Sequence, residues 1–295
     1  MIIYNPKNWF EAIFLFHKSD TFNQLKYVLI GFAAYAAVIV YLSLHYDHIF
    51  SFKSTTSIHS LLGFVFGLLL VFRTNTAYDR WWEGRKQWGA LVNDCRNLAI
   101  KLNTQLPDQE TALRNFYKHM IPNYVFAMKE HLREGVVWSE IQTEVIEQLD
   151  VVKSKDHIPN AIVQQMYVKL HAQFEAGNLT GEQLLMIDKE LKGLTNNIGA
   201  CERILKTPIP YSYSLFLKKF IFAYTITMPF GMASDFKYWT VPIVTFILYV
   251  FSSIELLAEE IENPFGTDTN DLPTDDMAVT IRNNVHEIFD THKSN

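Results

Sequence analysis

The chain has 295 residues, 49% of them hydrophobic and 19% charged, proportions that a soluble protein of one or two domains would also show. Lys and Arg number 26 against 31 Asp and Glu, a net charge of −5, so the basic surplus that a nucleic-acid partner requires is absent. The 2 cysteines, Cys95 and Cys201, are too few for a disulfide framework and lack the Cys-x2-Cys spacing of a zinc site, which points to a reducing compartment.

The N-terminal MIIYNPKNWF has no basic stretch followed by an apolar one, and cleavage of a signal peptide is not expected. Four stretches free of Lys, Arg, Asp and Glu follow, at residues 27–44, 54–72, 220–234 and 238–254. They read as membrane helices. The first two meet or approach the roughly 18–20 residues that span a ~30 Å hydrocarbon core, and the last two fall slightly short. A 15-residue run such as 220–234 reaches only about 22 Å, so it has to borrow length from 209–217, tilt, or sit inside an assembly. A buried helix of a soluble protein, the competing reading, usually carries a polar stripe, and YVLIGFAAYAAVIVYLSL has almost none. Lys7, Lys18 and Lys26 precede the first run, Arg73, Arg80, Arg85 and Lys86 follow the second, and Lys218 and Lys219 precede the third, whereas the short connections hold only Lys53 and Lys237. The positive-inside rule then puts both termini and the long middle segment in the cytoplasm.

That middle segment alternates apolar and charged residues at helical spacing and shows no strand pattern; Pro107, Pro122, Pro159, Pro208 and Pro210 mark helix boundaries or kinks. Thr180 and Gln183 have the spacing of a capping box. The expected architecture is all-α: a cytosolic segment 1–26, membrane helices 1 and 2 in 27–72, a helical cytosolic domain 73–217, membrane helices 3 and 4 in 218–254, and a C-terminal helix, turn and tail in 255–295. The tail from 274 begins polar and is expected to end disordered.

The nucleophile elbow, phosphate loop, dinucleotide fingerprint, zinc-protease motif and calcium loop are all missing, and no two of the 10 histidines stand at i, i+4. No enzyme activity, cofactor or confident metal site is expected. His59, near the outer end of the second run, reads as an interfacial imidazole or as a functional group in the membrane. Phe64, Leu68 and Phe72 recur every four residues on one inclined face of that run. Around a symmetry axis such a face makes stacked apolar rings that block ions by dewetting; the alternative is that it meets lipid or other helices. Gly63 and Gly67 form G-x-x-x-G on a neighbouring face and allow close helix packing. Glu255, Glu259 and Glu262 share a face beyond the fourth run, where Arg73, Arg80 or Arg85 can neutralise them, and Asn263-Pro264-Phe265-Gly266 ends that helix. Asp268, Asn270 and Asp271 offer oxygens to a weakly held hard cation, or are simply a solvated acidic loop.

The glycine-rich helix ending Val71-Phe72-Arg73, the following Arg80-Trp81-Trp82, Cys201-Glu202-Arg203 before Thr207-Pro208-Ile209-Pro210, and Ala258-Glu259-Glu260-Ile261-Glu262 running into Asn263-Pro264-Phe265-Gly266 together resemble the bestrophins, in their shorter bacterial form. The resemblance implies a homopentameric ion channel with four membrane helices per subunit around one pore. Its neck, three apolar rings four residues apart, falls on Phe64, Leu68 and Phe72. Its second, cytosolic constriction, usually apolar, falls on Glu182, with Leu179 one turn earlier. Animal members bind calcium after the Asn-Pro-Phe-Gly turn; Asp268 and Asp271 match, whereas Thr267, Thr269 and Asn270 stand where acidic residues are usual. A ring of Glu182 slightly favours monovalent cations over chloride, with a chloride or other anion channel of the same fold as the alternative. The expected partners are small inorganic ions, membrane lipid and further copies of the chain. The rivals from other classes are a membrane-anchored protein that docks a soluble partner and a membrane enzyme or metal-handling protein.

Overall fold

The computed structural model describes residues 20–46 and 54–290. Among these the chain is helical, with no strand, as composition and periodicity predict. In order the helices are α1 (Asp20–His45), α2 (Thr56–Gln105), α3 (Thr111–His131), α4 (Leu149–Lys153), α5 (Ile158–Glu175), α6 (Gly181–Lys206), α7 (Tyr211–Phe236), α8 (Thr240–Glu262) and α9 (Thr274–Asp290). Most of the expected N-terminal segment 1–26, the connection 47–53 and the expected disordered end from 291 lie outside the described residues. The rest of the tail is better ordered than its polar start suggests. Thr274, Asp275 and Asp276 form the first turn of α9, where carboxylates favour the helix dipole, and Ala278, Ile281, Val285 and Phe289 bury one face at helical spacing.

Three stretches are long and apolar enough to cross a membrane by length and composition: Thr21–His45, Thr56–Gln105 and Tyr211–Glu262. The last holds both α7 and α8, separated by Lys237, whose φ of 49° places it in left-handed backbone and turns the chain. The two short apolar runs therefore sit inside helices of 26 and 23 residues, about 39 and 34 Å long, which supplies the missing length.

The chain forms two compact units, one made of the described residues up to Arg80 with Pro208–Glu262, the other of Trp81–Thr207 with the described residues from Asn263. The junctions after Arg80 and Glu262 lie eight residues beyond the apolar runs, because α2 and α8 continue unbroken into polar sequence, and the junction before Pro208 lies twelve residues ahead of the third run.

In the first unit α1 packs along α7 and α8, and α7 along α8. Leu25, Leu29, Phe66, Leu70, Leu217, Ile221 and Leu248 form one cluster, Ala36, Tyr224, Met228, Met232 and Val244 another. Phe66 stacks on Phe220 at 4.8 Å and meets Phe251 edge-on at 5.0 Å. Tyrosine hydroxyls tie the helices by donating to main-chain carbonyls: Tyr35 to Ile226, Tyr213 to Leu69 and Tyr224 to His59. Asp235 accepts from the Ser54 and Thr56 hydroxyls and fastens the end of α7 to the start of α2.

In the second unit α3 runs through the middle, against α5 and α9, with α6 packed on α5. Trp88, Leu91, Cys95, Leu98 and Leu102 of α2 line up at spacings of three and four, as do Ile187, Leu191, Leu194, Ile198 and Cys201 of α6. Cations are enclosed with them, Lys129 most completely. Lys129, 1% exposed, reaches Glu130 at 2.9 Å, Glu140 at 2.8 Å and Asp275 at 2.7 Å. Burial alone would lower its pKa, yet hydrogen bonds from the ammonium to these carboxylates raise it. Asp275 moves the other way: the Arg133 hydrogen bond first, and then Lys129, hold its carboxyl well below the ordinary carboxylate range despite partial burial.

A carboxylate whose folded pKa is depressed contributes stability above its unfolded pKa, near 4, and that contribution is lost as the pH falls through the folded value. Lys129→Met, which strips Glu140 of its partner and leaves Arg133 alone to neutralise Glu130 and Asp275, should cost about 3 kcal/mol at neutral pH. Thermal unfolding of the detergent-purified protein should show this deficit, and the deficit should shrink below about pH 4 as the carboxylates of both proteins protonate.

Candidate functional site

Helix α2 is apolar on almost every side between 57 and 72, so periodicity alone does not tell which face turns inward. Burial does. His59, Phe66, Leu70, Arg73 and Ala77 lie inside the first unit at intervals of seven, four, three and four. Phe64, Leu68 and Phe72, on the other side, are 75%, 51% and 57% exposed.

The polar members of the inner face explain this rotation. His59 Nδ1 lies 3.0 Å from the Thr55 hydroxyl, and its Nε2 lies 3.1 Å from the Thr227 hydroxyl of α7. A histidine so bound is a packing element between α2 and α7. Arg73, 1% exposed and directly after Phe72, donates from Nη2 to Glu262 at 2.8 Å, while its Nε stands 3.5 Å from Glu255. Glu262 is engaged again: its Oε1 accepts from the Ile209 main chain at 2.7 Å, and its carbonyl accepts from Arg80 Nε at 3.0 Å. Glu259 turns to Lys218 instead, at 2.8 Å. Of the arginines proposed as partners for the three glutamates, Arg73 thus pairs with two side chains and Arg80 with a main chain.

The two glycines of the G-x-x-x-G differ. A Cβ on Gly63 would come 2.6 Å from the Tyr224 hydroxyl, so glycine there admits the tyrosine that donates to His59 O. At Gly67 nothing among the described residues approaches a Cβ within 4 Å, and its surface is open in the single chain.

Glu182 lies in the first turn of α6, fully exposed, beside the capping box of Thr180 and Gln183, whose side chains each accept the other's main-chain N–H. Hydrogen bonds from its own main-chain N–H and from Thr180 hold its carboxyl below the ordinary range, so it is anionic at neutral pH. Leu179 requires a correction. It precedes the helix, in the turn that follows left-handed Gly177, and is 4% exposed within the core of its own unit, so it offers no surface to a passing ion.

The Asn263-Pro264-Phe265-Gly266 turn is packed inward. Phe265, 1% exposed, and Pro264 meet α2 at Gly84, where a Cβ would stand 3.1 Å from both side chains. Asp271, 2% exposed, accepts from the Asp268 main chain at 2.7 Å, and the Leu272 N–H donates to Pro264 O at 2.9 Å. Asp271 is therefore committed to closing its own loop while Asp268 faces solvent, and neither belongs to a set of three converging ligand atoms among the described residues.

Long apolar helices whose exposed surface is itself apolar define an integral membrane protein with a helical polar unit. The chain belongs to the bacterial/fungal bestrophin family, whose sequence pattern matches residues 1–287. It is 38% identical over 230 residues to a voltage-dependent anion channel-forming protein of Nostoc, covering 76% of this chain and 74% of that one. To the voltage-dependent anion channel-forming protein YneE of Escherichia coli K12 it is 33% identical over 281 residues, 93% of this chain and 90% of the relative. The crystal structure of a bacterial bestrophin homologue from Klebsiella pneumoniae, determined for a point mutant, superposes with a TM-score of 0.83 at 26% identity, covering 90% of this chain and 98% of that one.

Proposed function

We propose that this chain is the subunit of a pentameric ion channel, with α1, the first part of α2, α7 and α8 crossing the bacterial inner membrane and both termini in the cytoplasm. The outward face of α2 carries this reading. Phe64, Leu68 and Phe72 are large, apolar and exposed, while the same helix buries a histidine and an arginine on its other side. Lipid on that side would also keep the polar groups inward, so the support for a pore face is the recurrence of large exposed apolar side chains every four residues at the positions where the bestrophin neck falls. Repeated around an axis, the ladder forms a dry neck that ions cross only when it wets. The open surface at Gly67 suits close approach of a neighbouring copy.

For the permeant ion, the names of the Nostoc and Escherichia coli relatives favour anions. The cation reading rests on one specific observation, the exposed and ionised Glu182, which repeated in five copies would make an acidic ring at a cytosolic constriction.

Replacing Phe64, Leu68 and Phe72 together by alanine should raise single-channel conductance in planar bilayers severalfold; unchanged currents would remove the neck from this face. Under a KCl gradient the wild-type channel should reverse toward the chloride equilibrium potential. If it reverses toward that of potassium and Glu182→Gln abolishes the preference, the acidic ring sets the sign.

A further inference from the structure

Within the second unit, imidazoles from two separate segments converge on one carboxylate oxygen of a third. His131 closes α3, His157 caps α5, and Glu202 lies in the penultimate turn of α6. Glu202 Oε1 is 3.0 Å from His131 Nε2 and 3.5 Å from His157 Nε2, and the two imidazoles stand 4.4 Å apart, centroid to centroid. All three side chains are partly buried, and one ligand atom from each lies within 4.8 Å of the others. Neither the channel architecture nor the proposed neck uses them.

We propose that His131, His157 and Glu202 form a binding site for a divalent transition-metal ion of the zinc class. Two imidazoles and a carboxylate are the donor set such ions take in open, three-ligand sites. In a tetrahedral site with bonds of ~2.0–2.1 Å, neighbouring ligand atoms stand about 3.3 Å apart, and the two measured separations bracket that value. Here the imidazole N–H groups occupy the place of the ion, so ligation through Nε2 requires each ring to carry its proton on Nδ1. The fourth position has room: a cavity of about 470 Å³ is walled by His157, Glu202, Asn160, Tyr167, Thr195 and Gly199 among others, and admits water or an external ligand.

Two groups compete with the ion. Lys206 Nζ lies 3.3 Å from the same Glu202 oxygen, but its side chain is 71% exposed and free to swing away. His157 Nδ1 accepts the Asn160 main-chain N–H at 3.2 Å, so ligation through Nε2 moves the ring proton to Nδ1 and surrenders that cap. His157 is therefore the weakest ligand. The other convergent set, Glu130, Glu140 and Asp275, is no rival, since Lys129 already fills its centre.

The experiment is titration calorimetry of the full-length, chelator-treated protein with Zn²⁺, with Mg²⁺ as the control. One Zn²⁺ per chain is expected, with a rise in the unfolding temperature because the ion joins three segments, and no response to Mg²⁺. His157→Asn is the decisive variant: asparagine caps a helix as well as any residue, so α5 keeps its start while a ligand is lost. It should weaken Zn²⁺ binding at least tenfold and remove the Zn²⁺-induced rise in unfolding temperature while the metal-free protein still folds, and Glu202→Gln should weaken binding as much. Absence of saturable binding, or binding that survives both variants at equal affinity, would overturn the site and leave a hydrogen-bonded cluster only.

Discussion

A guanidinium enclosed among membrane helices fixes much of what surrounds it. Placing Arg73 at 1% exposure is tolerable only with Glu262 and Glu255 beside it, and removing one side of such a pair leaves an uncompensated buried charge, at about 3–5 kcal/mol. The pairing has a directional consequence. Successive helical residues point about 100° apart, so a buried Arg73, with Phe66 and Leu70 above it, forces Phe64, Leu68 and Phe72 away from the subunit. The same contact reaches further, since Glu262 also receives the Ile209 main chain at the approach to α7 and precedes the Asn-Pro-Phe-Gly turn. One ion pair thereby joins α2, the entry to α7 and the end of α8.

The second unit uses the same device, a buried cation held by carboxylates. Lys129 is a buried ammonium ringed by three carboxylates, and Asp275 shares its charge with Arg133. The ring brings the end of α3, the 3-10 turn at Trp138–Glu140 and the first turn of α9 to one point. Nonpolar packing holds each helix against its neighbours, whereas these charges fix the register in which they pack.

The helical class and the apolar runs were legible because they rest on composition and on a 3.6-residue period, both local properties. The face of the proposed neck was legible as a spacing, yet its direction was not: Phe66 and Leu70 are as apolar as Phe64 and Leu68, and only the polar pair His59 and Arg73 marks the inner side. Counting along the chain located Glu182 and Leu179 but could not foresee that Leu179 precedes the helix, where the turn after Gly177 drives it into the core. Asp268 and Asp271 looked alike as carboxylates; one closes its own loop and the other does not. The triad of His131, His157 and Glu202 left no sequence signal, because its members come from three segments and share no helical spacing.

The central claim is that the outward face of α2 lines the ion path. The direct measurement is thiol accessibility under voltage clamp, with single cysteines at Leu68 and, for comparison, at the exposed Val38 of α1. The native Cys95 and Cys201 are fully buried, and burial pushes both thiols up, to about 12 for Cys201, so they stay silent. A charged, water-soluble thiol reagent should change the current through Leu68→Cys irreversibly and leave Val38→Cys untouched. A Leu68→Cys channel that conducts normally and never reacts would place this face in lipid and contradict the account.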